Sequence, residues 1–91
     1  MNKDNILSYI LRGKNHRIIL LEINKGRVIQ PQLVKRTDMY RSHITRTISE
    51  LLKLKLIVCT NPSVREYKFY KITTLGKDIS KKLIEILNEI N

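Results

Sequence analysis

Between Gln30 and Lys53 the chain reads QPQLVKRTDMYRSHITRTISELLK, and this stretch constrains the fold more than any other. Ile44, Ile48, Leu51 and Leu52 recur at i, i+4, i+7 and i+8, the spacing of one apolar stripe on a helix. Pro31 stands where a helix starts comfortably, because the missing N–H would have no partner there; a short helix is predicted from Pro31 to Thr37. Asp38 tolerates a left-handed backbone better than most side chains do, so a tight turn can follow. The next helix is expected from about Tyr40 to Leu54. At about 100° per residue, Ser42, Thr45, Arg46, Ser49 and Lys53 fall opposite its apolar stripe. That outer face offers hydroxyls and cations and no carboxylate, which suits a polyanionic partner.

The remaining patterns place elements on either side of this pair. Ile6, Leu7, Ile10 and Leu11 mark a helix over Lys3–Leu11, broken at Gly13. A second helix is predicted over Lys14–Asn24, its core face set by Ile18, Leu20 and Leu21, with Gly26 as a left-handed cap. Val28 to Gln30 is a brief extended segment. The β-branched run Leu56–Thr60 reads as a strand, Asn61-Pro62-Ser63 as a turn, and Tyr67–Ile72 as a second strand. Alternation puts Tyr67, Phe69 and Lys71 on one face of that strand, and Lys68, Tyr70 and Ile72 on the other. Thr73 is a good N-cap for a last helix from Thr74 to about Glu89. There Leu75, Ile79, Leu83, Ile86 and Ile90 form a stripe that Ile84 and Leu87 widen. With no repeat or linker in 91 residues, one domain is expected over 1–91.

Charge narrows the partner. Lys and Arg number 18 against 8 Asp and Glu, a formal net charge of +10. Twelve of those cations but only four acids (Asp4, Glu22, Asp38 and Glu50) lie in residues 1–60. The excess therefore accompanies the two-helix stretch, and nucleic acid is the partner such a distribution points to. No apolar run is long enough to cross a membrane and the N-terminus lacks a signal-peptide pattern, so a cytoplasmic protein with no membrane partner is expected. The lone Cys59 excludes an intramolecular disulfide. His16, His43 and Cys59 are too scattered for a metal site, so no cofactor is expected. Nor is an enzyme: the chain has no Gly-rich phosphate loop, no paired-carboxylate motif, and no acid in sequence reach of either histidine.

The order helix–helix–strand–helix–helix–strand–strand–helix resembles the winged helix-turn-helix domain of MarR-type and ArsR-type transcription regulators, in a small, stand-alone, archaeal-like form. The resemblance covers roughly residues 14 to 82. It is carried by Val34, Asp38 and Ile44 in the two-helix unit, by the exit Lys55-Leu56-Ile57-Val58, and by the junction Tyr70-Lys71-Ile72-Thr73-Thr74-Leu75-Gly76. It implies an α+β, mostly α fold: a three-helix core, a β-hairpin wing, and extra N- and C-terminal helices. Two positions depart from the family pattern. Asp38 replaces the usual turn glycine. Tyr40 stands at the N-cap of the second helix, leaving its first N–H groups to Asp38 or Ser42.

On this resemblance the segment of about 40–54 is a recognition helix for the major groove of double-stranded DNA. Arg41 or Arg46 could pair bidentately with guanine, and Ser42, His43, Thr45, Ser49 and Lys53 could meet bases or phosphates. Tyr40 either bonds a phosphate or packs under the helix. Gln32 and Arg36 would serve as anchoring contacts. The wing (60–67) would bring Ser63 and Arg65, with Lys68 behind them, to the flanking minor groove or backbone.

The apolar surplus of the end helices (1–12 and 74–91) points to a homodimer. Ile6, Leu7, Ile10 and Leu11 would face Leu83, Ile84, Leu87 and Ile90 across its interface. The expected function is sequence-specific DNA binding in transcription regulation, with any small-molecule effector unknown. Two alternatives are a non-specific architectural DNA-binding protein and a protein-interaction adaptor of the same fold.

Overall fold

The computed structural model describes residues 2–90. The chain runs α1 (Lys3–Arg12), α2 (Lys14–Asn24), β1 (Val28–Ile29), α3 (Gln30–Thr37), α4 (Arg41–Lys53), β2 (Ile57–Cys59), β3 (Phe69–Ile72) and α5 (Thr74–Ile90). The strands form one antiparallel sheet in the order β1-β3-β2, with Val28 opposite Tyr70 and Ile57 opposite Ile72. The succession of helices and strands is the one expected from the sequence. The second strand of the hairpin is shorter than its alternation suggested. Tyr67 adopts a left-handed φ of 57°, so pairing begins only at Phe69.

The core is a single cluster drawn from every helix and strand, centred on Ile10, Ile19, Leu20, Ile23, Leu33, Ile44, Leu51, Leu56, Ile79 and Leu83. The phase of α2 differs from the expected one: Ile19, Leu20 and Ile23 are buried while Ile18 and Leu21 are half-buried. Four consecutive apolar residues fit either phase, and packing against the neighbouring helices selects one. In α5 the buried line is Gly76, Ile79, Ser80 and Leu83. Small residues alternate with large ones there, which lets α5 lie close to the core. Arg27, which precedes β1, stacks 4.4 Å over the Phe69 ring.

Caps follow the sequence in some places and not in others. The Asn2 side chain accepts from the Asn5 N–H at 2.8 Å and caps α1. The α2 end differs from expectation: Lys25 is the cap in a right-handed conformation, and Gly26 follows at φ 156°. Asp38 does adopt the left-handed turn, at φ 58°. The start of α4, however, receives no side-chain cap from Tyr40, Asp38 or Ser42. Thr37 secures the turn instead, donating to the Leu33 carbonyl at 2.7 Å and accepting from the Met39 N–H at 3.2 Å.

The exit of α4 is tied twice. Leu56 N–H bonds Leu51 O and Lys55 N–H bonds Leu52 O, both at 3.0 Å, a Schellman closure with Lys55 left-handed at φ 61°. Thr73 then caps α5 by accepting from the Gly76 N–H at 3.0 Å, and its hydroxyl donates to the Lys55 carbonyl at 2.7 Å. A Cβ at position 76 would collide with the Leu56 carbonyl oxygen and lie 2.6 Å from Ile72 Cγ1. Gly76→Ala is therefore expected to destabilise the domain by about 1–3 kcal/mol. In a chain of this size that is a fall of about 4 °C or more in the thermal midpoint. Melting followed by circular dichroism checks this, and an unchanged midpoint would mean that α5 has room to move.

Candidate nucleic-acid interface

Helix α4 buries Ile44, Thr47, Ile48 and Leu51 and leaves Glu50 and Leu52 half-buried. Arg41, Ser42, His43, Thr45, Arg46, Ser49 and Lys53 are all exposed. Arg41, Ser42, Thr45, Arg46, Ser49 and Lys53 line one shallow depression together with Glu50. Tyr40 is 76% exposed, so it does not pack beneath the helix; its ring meets that of His43 edge-on at 5.7 Å. These side chains form one continuous polar surface.

The wing is closed by Asn61, a residue that the sequence pattern marked only as part of a turn. Asn61 Oδ1 accepts from the Phe69 N–H at 2.8 Å and its amide donates to the Tyr67 carbonyl at 3.2 Å. Ser63, Val64, Arg65, Glu66, Tyr67 and Lys68 all project into solvent beyond it. A cleft of about 500 Å³ separates wing from helix and brings Arg41, Arg65 and Lys68 together with Gln30, Pro31, Glu66 and Tyr67. Three cations from two elements thus converge on one concave surface.

Two expected anchors sit differently. The Gln32 side chain accepts from the Ile29 N–H at 2.9 Å, so its carbonyl serves the start of α3. Arg36 lines another depression, with Glu22, Lys25 and Arg27 near the end of α2, away from the α4 face. Arg17 donates to the Leu11 carbonyl and so closes the end of α1.

Three residues of the expected dimer set belong to the protomer's own core instead. Ile6 is 4% exposed and Ile10 and Leu83 are fully buried, because α1 and α5 spend their main stripes on the protomer's own core. Leu7, Leu11 and Leu87 are half-buried and Ile84 is 41% exposed. The side chain of Ile90 lies outside the described residues.

One cluster was illegible in the sequence. Glu50 is the sole acid of α4, and its Oε2 accepts from the Tyr9 hydroxyl of α1 and lies 2.9 Å from His16 Nε2 of α2. His16 thus has an acid partner that lies 34 residues away, beyond its reach in sequence. Hydrogen bonds from Tyr9 and then His16, with a smaller contribution from the Arg46 charge, hold the Glu50 carboxyl below the usual carboxylate range. The same bond raises the Tyr9 phenol. Because the folded value of Glu50 is depressed, its stabilising contribution is complete above the ordinary glutamate value of about 4.3. It is lost as pH falls through the lower folded value. Glu50→Gln should accordingly lower the unfolding midpoint at neutral pH and flatten its decline in acid. Parallel acid titrations of both proteins by circular dichroism check this; superimposable slopes would show that Glu50 carries no such linkage.

No protein-family model and no curated protein sequence matches the chain. Solved structures do. The adhesin competence repressor AdcR of Streptococcus pyogenes superposes with a TM-score of 0.74 at 20% identity, over 96% of this chain and 71% of that one. Reduced HlyU of Vibrio cholerae gives 0.76 at 16% identity, over 92% and 87%. A MarR family transcription regulator gives 0.68 at 27% identity, over 96% and 65%. The fold is a winged helix, and its structural neighbours include MarR-family regulators. Among the described residues no helix is long and apolar enough to cross a membrane.

Proposed function

We propose that this protein is a sequence-specific, double-stranded DNA-binding transcription regulator that acts as a homodimer and performs no catalysis. The observation that carries this reading is the outer face of α4. Its hydroxyls and cations stand together in solvent, while the one carboxylate of the helix is engaged by Tyr9 and His16. A major groove presents hydrogen-bonding base edges between two rows of phosphates, and this face matches both. Helix α4 enters the groove, and the wing cations approach the adjoining backbone or minor groove. The structural neighbours that are repressors or transcription regulators by name support the same use of the fold.

Roles divide by position. Arg46, mid-face on α4, is the base-reading arginine, whereas Arg41, Arg65 and Lys68 share the helix–wing cleft and grip phosphate. Arg46→Ala should cost about 1–3 kcal/mol on the preferred duplex and relax selection at one base. Lys68→Ala should weaken all duplexes alike and reduce the salt slope by about one. If a dimer neutralises 6–10 phosphates, affinity falls about 10³–10⁵-fold between 50 and 200 mM salt. Fluorescence anisotropy across that range checks the magnitude. Flat affinity would end the DNA reading, and equal competition by random duplex would favour an architectural role.

The dimer is proposed through what α1 and α5 leave uncovered: Ile84, and the half-buried Leu7, Leu11 and Leu87. Sedimentation equilibrium should give twice the 10.8 kDa chain mass. Ile84→Glu should shift the protein towards monomer and abolish the rise of its melting midpoint with protein concentration, while the protomer still folds, since the side chain is 41% exposed.

A further inference from the structure

Gln30 is the first residue of α3, and its side chain reaches across to the recognition face of α4. Its Nε2 donates to Thr45 Oγ1 at 2.6 Å, and its other side borders the cleft that holds Arg41, Arg65 and Lys68. Gln30 thus lies between the part of the surface suited to phosphate and the part suited to bases. This placement could not be read from residues 15 positions apart, and the sequence pattern directed attention to Gln32 instead.

Resting on the DNA-binding reading above, we propose that Gln30 and Thr45 form one composite reading element in which Gln30 selects adenine. A primary amide has two N–H donors and a carbonyl acceptor. With the N–H that points away from the carbonyl given to Thr45, the other N–H and the carbonyl stand side by side on one edge of the amide. That pair complements adenine N7 and N6–H in the major groove and no other base there. Thr45 accepts from Gln30 through its oxygen, so its hydroxyl proton is left to donate outward, and its methyl is available to a thymine methyl group. The hydrogen bond also holds both side chains in one geometry before DNA arrives, which lowers the ordering cost of binding.

The test is parallel selection from a pool of random-sequence duplexes with the full chain and three variants, Gln30→Ala, Gln30→Glu and Thr45→Val. Each is first shown by circular dichroism to melt like the wild type. The wild type should enrich adenine at one position of each half-site. Gln30→Ala should reduce that preference by about 5- to 150-fold while leaving the other positions and the salt slope unchanged. Gln30→Glu should transfer the preference to cytosine, whose N4 amine a carboxylate accepts. Thr45→Val should blur selection at the same position or its neighbour. Even weakening across all sequences with the motif intact would overturn the proposal and leave Gln30 a structural residue. A wild-type pool with no enriched motif would overturn the sequence-specific reading together with this one.

Discussion

The Leu56 carbonyl is the point on which the rest of the structure depends. It accepts the Thr73 N–H at 3.0 Å and occupies the space that any side chain at position 76 would need. One residue earlier, the Lys55 carbonyl accepts the Thr73 hydroxyl, and Lys55 itself holds the left-handed turn that ends α4. The exit of α4, the returning strand of the wing and the start of α5 therefore meet in a few backbone atoms. Backbone contacts of this kind leave little slack, because neither a peptide carbonyl nor a glycine can change rotamer to relieve a clash. The angle between α4 and the wing, and hence the helix–wing cleft, is set by this junction.

A second constraint acts at the opposite side of α4. Glu50 would place a negative charge beside Arg46 on the face proposed to meet DNA, where it would repel phosphate. Its carboxylate is held by the Tyr9 hydroxyl and by His16, so α1 and α2 grip α4 and also engage its one acidic side chain. The two ends of α4 are thus secured differently. The start has Thr37 and the turn at Asp38, with no side-chain cap on the helix itself. The later turns have Glu50 and the closure at Lys55. Rigidity in the last turns together with open N–H groups in the first suits a helix whose N-terminal part meets a ligand.

How much was legible depended on the range of the interaction. The buried and exposed faces of α4 followed from 3.6-residue periodicity, since one helix carries both faces within a dozen residues. The turn at Asp38 and the Thr73 cap were likewise local. Errors fell where apolar residues run consecutively. Ile18 to Leu21 admits two helical phases, and Leu83-Ile84 with Ile86-Leu87 offers more stripe than one contact needs, so core residues Ile6, Ile10 and Leu83 looked like interface. The hairpin was drawn too long because alternation continues through Tyr67, whose backbone turns left-handed at the wing base.

Within this chain the sequence alone determined which segments form helices and strands, and that one helix presents a basic, hydroxyl-rich face. Those properties depend on neighbours a few positions away. Only the tertiary structure decided that Glu50 is withdrawn by Tyr9 and His16, that Arg41 shares a cleft with Arg65 and Lys68, that Arg36 points elsewhere, and that Gln30 reaches Thr45. Each of these joins residues from separate elements, and their meeting depends on helix crossing and strand register that no local pattern encodes. The apolar stripes of α1 and α5 show the same division: periodicity says that they are buried, and only packing says against what.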